Sequence, residues 1–147
     1  MRTSVDLSGL SGPVLLFDGE CGLCQRVVRW LLRLDRRGSL RFAPLQGPTA
    51  QAYLRRHCLD PVNFDSLVFI PEWRHRARPE FLLRTDAVIA ALKTCGGPAR
   101  LLAWFGFFPR RVRDAAYALV ARWRHRLFGR GRLDPAVKKA WAERFID

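Results

Sequence analysis

Val14-Leu15-Leu16-Phe17-Asp18-Gly19-Glu20-Cys21-Gly22-Leu23-Cys24 decides the fold. Its first four residues are apolar without alternation, and Asp18-Gly19 closes the run. That pattern predicts a short strand buried on both faces, with Pro13 opening it. From Leu23 the period changes. Val27, Val28, Leu31, Leu32 and Leu34 recur at helical spacing, while Arg26, Arg29, Arg33, Arg36 and Arg37 take the other positions. Gly38 follows the last basic turn, as a helix C′ residue does. Two cysteines two residues apart therefore stand where a strand hands over to a helix.

Outward from this unit, Leu40–Leu45 reads as a second strand and Thr49–Cys58 as an amphipathic helix. Ser66–Ile70 reads as a third strand, and Phe81–Arg84 as a fourth that pairs with it across a long polar loop. Thr85 is expected to N-cap a helix over Asp86–Thr94, which Gly96-Gly97 stops. The succession βαβ, αββ, α predicts an α/β fold: a mixed four-stranded sheet flanked by helices, with the 23–36 helix as the right-handed crossover. The last third is helical. Pro98–Phe108 is strongly apolar, Pro109 breaks it, a long helix runs from about Arg111 to Phe128, and Pro135 starts a last helix. The organisation is thus a leader over 1–12, an α/β core over 13–97 and a helical extension over 98–147. The extension is packed on the same domain, because a piece of about 50 residues is marginal for a separate core.

A chain of 147 residues suits one hydrophobic core. No apolar run approaches the roughly 20 residues that span a bilayer, and the N-terminus lacks the pattern of a signal peptide. The expected setting is cytoplasmic, with a peripheral membrane association left open. Disulfides are rare there, so the four cysteines read as reduced thiols, metal ligands or catalytic groups rather than as a framework. Cys58 and Cys95 fall in helical patterns and read as core residues. The formal charge of +13 is carried almost wholly by Arg. It reads first as an Arg-rich solvated surface, and second as a weak site for an anionic partner, either a membrane surface or nucleic acid. Trp104, Phe105, Phe107 and Phe108, beside Arg110, Arg111 and Arg113, are expected to pack the C-terminal helices onto the sheet. The alternative is a stretch that docks on a membrane surface or a partner.

The chemistry concentrates at the cysteines. Free N–H groups and the positive end of a helix dipole stabilise a thiolate at Cys21. Cys24, one turn on, is within reach to resolve a mixed disulfide. Cys21 is the expected attacker, and the division of labour calls for an exposed first sulfur and a buried second. Glu20 opposes a thiolate at Cys21, and Arg26 can offset it. Asp18 is expected to cap the turn or, if buried beside Cys24, to handle its proton. The expected thiol or disulfide substrate carries no identity, and no cofactor is expected. A zinc site is the sharpest alternative, but zinc wants four ligands and His57, His75, His125, Cys58 and Cys95 show no paired spacing. Haem attachment would need His where Gln25 stands. A phosphatase reading of Phe17-Asp18-Gly19-Glu20 lacks the downstream carboxylates that hold magnesium.

The stretch Leu15 to Cys24 resembles the signature of the DCC family of thiol-disulfide oxidoreductases (YuxK-like proteins), named for its Asp-x-x-Cys-x-x-Cys motif. Other segments are similar too: Arg41-Phe42-Ala43-Pro44-Leu45-Gln46, Phe64-Asp65-Ser66, Thr85-Asp86-Ala87, Arg113-Asp114 with Tyr117, and Leu127-Phe128-Gly129. The resemblance covers roughly residues 13–130. It implies a thioredoxin-like fold, a redox pair on Cys21 and Cys24, and Asp18 as companion. Gly19, Glu20, Gly22, Thr85 and Asp86 support the site in this reading. Thr85 stands where relatives often have Ser. No further cysteine follows Gly129 as it does in many of them. Thioredoxins place a cis-proline before the third strand, and Phe64-Asp65-Ser66 occupies that position here.

Overall fold

The computed structural model describes residues 9–60, 66–78, 80–131 and 134–146, apart from the side chain at 125. Phe64, Asp65 and most of the leader lie outside the described residues. Strand β1 (Val14–Phe17) leads through α1 (Gly22–Leu34) to β2 (Arg41–Pro44), then α2 (Pro48–Arg56), β3 (Val68–Ile70), β4 (Leu82–Leu83) and α3 (Arg84–Cys95). Strand order is β2-β1-β3-β4. β1 runs parallel to β2, with Leu15 opposite Phe42, and antiparallel to β3, with Leu15 opposite Phe69. β3 and β4 are antiparallel. This is the expected mixed sheet, and the fold is thioredoxin-like.

The unbroken apolar run of β1 is explained by its place in the middle of the sheet, since a central strand covered on both faces has no polar side to show. Leu15 and Phe17 enter the core under α1 and α3, whereas Val14 and Leu16 enter the core under α2. All four are buried, and full burial of each larger side chain is worth about 1.5–3 kcal/mol. The strand end that carries the cysteine turn is therefore anchored in the core on both faces of the sheet.

Beyond α3 the chain forms α4 (Ala99–Leu102), a 3-10 turn (Ala103–Phe107) and α5 (Arg110–Phe128). α5 packs against α1 and α3. α6 (Pro135–Ala140) follows, N-capped by Asp134, whose side chain accepts from the Ala136 N–H at 2.8 Å. The tail then lies along β2. Ile146 N–H donates to Phe42 O at 2.8 Å, and the Phe145 ring sits 5.9 Å from Phe42 and 6.3 Å from Phe17. The outer edge of β2 is thereby covered, as exposed sheet edges commonly are. Among the described residues no helix is long and apolar enough to cross a membrane.

Three expectations are corrected. Most of the aromatic segment does not bury itself: Phe105 packs against the core, but Trp104 is 82% exposed, Phe107 93% and Phe108 59%. In a 3-10 turn residues three apart eclipse one another. Ala103 and Gly106 face α3, where a side chain on Gly106 would press on Ile89 Cδ1 at 3.1 Å, and Trp104 and Phe107 are left on the outer side. Thr85 does not cap α3, which opens at Arg84 with Leu83 as its N-cap and no side-chain cap bond. Cys58 is not in the core. α2 ends at Arg56, and Cys58 lies exposed in the turn beyond it with φ of 55°.

Candidate functional site

The turn after β1 is closed by Cys21 N–H donating to Asp18 O at 3.3 Å. Cys21 is extended, with φ −95° and ψ 122°, and is the N-cap of α1. Cys24 follows within the first helical turn, and the two cysteines lie close together. Both belong to the core between the sheet and α1. Cys21 is 0% exposed and Cys24 is 7%, so the expected exposure of the first sulfur is not met.

The cover over Cys21 is the chain that leaves α5. Arg130 bridges Cys21 in antiparallel fashion. Gly22 N–H donates to Gly129 O at 3.2 Å, and Gly131 N–H donates to Glu20 O at 3.0 Å. The Gln25 amide donates to Gly131 O and, at 2.9 Å, to Gly19 O. Gly129, with φ of 70°, lets the chain turn back at the helix end. Gly22 is required by close approach, because a Cβ there would overlap the Phe128 carbonyl oxygen. Arg26 lies over the Phe128 ring, 5.2 Å from its centroid, and so holds this strap.

Asp18 does two jobs. Its Oδ1 accepts from Glu20 N–H at 3.0 Å, which caps the turn, and from Gln46 Nε2 at 2.8 Å. Its Oδ2 meets Arg124 Nη2 at 3.5 Å. Gln46 also takes Gly19 N–H on its Oε1 at 3.0 Å, so one side chain fixes both turn residues. Burial pushes the Cys24 thiol up to about 12; the neighbouring Cys21 and Asp18 add to that, while Arg124 opposes it. Tyr117 packs close by. Its hydroxyl accepts from Leu67 N–H at 3.3 Å, and burial raises it too. A cavity of about 90 Å³ beside Cys24 is lined by Leu23, Val27, Leu67, Val88, Tyr117 and Val120, among others.

The turn thus brings together Asp18, Gly19, Glu20, Cys21, Gly22 and Cys24. Thr85 and Asp86 belong to a neighbouring network that fastens α3 to α5. Thr85 Oγ1 donates to Asp114 Oδ1 at 2.8 Å, and Asp86 pairs with Arg113 at 2.9 Å and Arg110 at 3.2 Å. The sequence assigns no site role to Arg124, Gln25 or Gln46. A signal existed for Arg124: Arg113, Tyr117, Ala121, Arg124 and Phe128 follow 3.6-residue spacing, so this Arg shares a face with the residues that pack inward. Among the described residues no group of three His, Cys, Asp or Glu side chains is placed to hold a metal ion.

The model of the DCC1-like thiol-disulfide oxidoreductases matches residues 15–130. The chain belongs to this family. It is 34% identical over 130 residues to the uncharacterized protein YuxK of Bacillus subtilis, covering 86% of this chain and 90% of the relative. It is 34% identical over 119 residues to a chloroplastic DCC family protein of Arabidopsis thaliana, covering 80% of this chain and 66% of that protein. No solved structure matches it. The matched span of the DCC1-like family begins in β1 and ends on the strap at Arg130, so it takes in both sides of the cover over Cys21.

Proposed function

We propose that this DCC1-like protein is a thiol-disulfide oxidoreductase that works through Cys21 and Cys24. The observation that carries the reading is the pair of cysteines brought close together at the start of α1, beside the Asp18–Arg124 ion pair. In the reducing direction the Cys21 thiolate attacks a substrate disulfide, and the departing sulfur leaves as a thiolate that takes up a proton. Cys24 then loses its proton and attacks the Cys21 sulfur. The second substrate thiol is released, and two electrons have passed from the dithiol to the substrate. A Cys24 thiol held near 12 stays protonated until the mixed disulfide forms, which suits a resolver. Arg124 is the group that favours its anion at the second step. Asp18 positions Arg124 and the turn. For substrate to reach Cys21 the strap at Gly129–Gly131 has to lift.

Oxidation in a glutathione redox buffer tests this, read by mass spectrometry of digested protein. Wild type is expected to form one Cys21–Cys24 disulfide, and Cys24→Ser to accumulate a glutathione adduct on Cys21. Cys21→Ser should form neither. Absence of the intramolecular disulfide, or equal adducts in the two variants, would sink the assignment.

A further inference from the structure

The molecule carries an apolar face that none of the described residues covers. It has two parts. On α4 and the 3-10 turn after it, Leu101, Trp104 and Phe107 are 73%, 82% and 93% exposed. On α5 Val112, Leu119, Val120, Trp123 and Leu127 are all exposed, and their spacing of 7, 1, 3 and 4 residues puts them in one stripe along the helix. Phe108, which follows Phe107, lines an apolar hollow of about 410 Å³ together with Val112 and Val120, so the turn runs into the stripe there. Contiguous exposed apolar surface of this kind marks an interaction site.

The charge around the face selects the partner. Between Ala87 and Leu133 the sequence holds ten Lys or Arg and one acid, Asp114. That acid is already engaged by Thr85 at 2.8 Å and Arg110 at 3.6 Å. Exposed Arg111, Arg122 and Arg126 flank the stripe on α5, and Arg126 lies 5.4 Å over the Trp123 ring. We propose that this face docks on an anionic membrane surface. Protruding Trp, Phe and Leu side chains enter the headgroup boundary, and the Arg side chains reach anionic headgroups from its rim. A second copy of the chain would bring the same uncompensated cations into contact with themselves. A nucleic acid would satisfy the Arg side chains and leave the apolar stripe in water. The hollow under the face shares Val88, Tyr117 and Val120 with the cavity beside Cys24, so the docked side is the one on which that thiol lies.

The test is sedimentation of the full reduced chain with phosphatidylcholine vesicles, with and without phosphatidylglycerol. Binding is expected only with phosphatidylglycerol, and should weaken as salt rises. Trp104→Ser with Phe107→Ser should weaken it by about tenfold or more. Each of Arg111→Gln and Arg122→Gln should weaken it by about fivefold. These side chains are exposed, and unchanged circular dichroism shows that the variants fold. No binding to anionic vesicles would overturn the proposal, as would binding that the aromatic variant leaves intact. So would a dimer in the ultracentrifuge that the same substitutions dissolve. The readout is partitioning, so its failure leaves the thiol chemistry of Cys21 and Cys24 untouched.

Discussion

Cys24 and Cys95 are both buried, each beside an Asp–Arg pair. Cys24 has Asp18 and Arg124 near it, and Cys95 has Asp35 and Arg144. The electrostatic pattern is the same. Burial pushes the Cys95 thiol up to about 11, Asp35 adds to that and Arg144 opposes it. The surroundings differ. Asp35 is fully buried, and its pair with Arg144 is completed by the main chain of Leu40. Asp35 Oδ2 accepts from Leu40 N–H at 2.8 Å, and Arg144 Nε donates to Leu40 O at 2.8 Å. This clamps the C-terminal turn onto the edge of β2. The Asp18–Arg124 pair is looser, at 3.5 Å, and its acid also accepts from Gln46. A raised thiol beside an ion pair is therefore not a redox signature in itself. The second sulfur at x-x spacing and the adjoining cavity set Cys24 apart.

If the pair at Asp35 is a clamp and the pair at Asp18 a site, their losses should differ most in stability. Asp35→Ala leaves Arg144 buried without its carboxylate, and should cost about 3–5 kcal/mol in urea unfolding. Asp18→Ala also leaves a buried Arg, but the pair is longer and Asp18 keeps 13% of its side chain exposed against 0% for Asp35, so it should cost less, about 1–3 kcal/mol. Equal losses would erase the distinction.

Alkaline pH probes what the two thiols share. Cys24 and Cys95 are held at about 12 and about 11 in the folded chain, against an ordinary 9.0. The folded state keeps these protons after the unfolded chain has released them. Their contribution is therefore fully present below about 9 and is lost as pH rises through 11 and 12. Tyr53, raised by burial to about 12, adds loss of the same sign in its upper part. Reduced protein should lose on the order of a few kcal/mol across this window. Cys24→Ala and Cys95→Ala should each flatten part of the slope, Cys24→Ala the larger part. A flat profile in wild type would show that the thiols are not held protonated by the fold.

Much of this was legible in the sequence where pattern and position agree. The switch from an apolar run at Val14–Phe17 to helical spacing from Leu23 located β1, α1 and the cysteine turn, and the βαβ succession predicted the parallel pair. What was missed depends on which distant group comes to rest where. Gly129 and Gly131 follow the long predicted helix, and nothing local says that the chain between them pairs with Cys21. Phe107 is apolar, yet the eclipsed spacing of a 3-10 turn sends it outward. Arg144 and Arg124 are two among many Arg, and only contact with Asp35 and Asp18 distinguishes them. Composition reports how much charge the chain carries, whereas burial decides which charges are paired.

The smallest expected effect concerns Arg124 itself, whose role is positioning and electrostatic. Its charge favours the Cys24 thiolate, against burial, Cys21 and Asp18. Without it the Cys24 thiol should rise further, and less thiolate is available to resolve the mixed disulfide at neutral pH. Arg124→Gln should slow that step by roughly three- to tenfold. The pH profile of resolution should move upward with it. Arg124→Lys keeps the charge without the planar fork and should recover part of the rate. Stopped-flow mixing of a preformed Cys21 mixed disulfide at several pH values separates this from packing. A merely structural Arg124 would change the fraction of folded protein and leave the profile where it was. Movement of the profile, with partial recovery by Lys, ties the charge to the resolving thiol. Arg144→Gln should leave that profile in place, because Arg144 acts on Cys95 and the β2 edge.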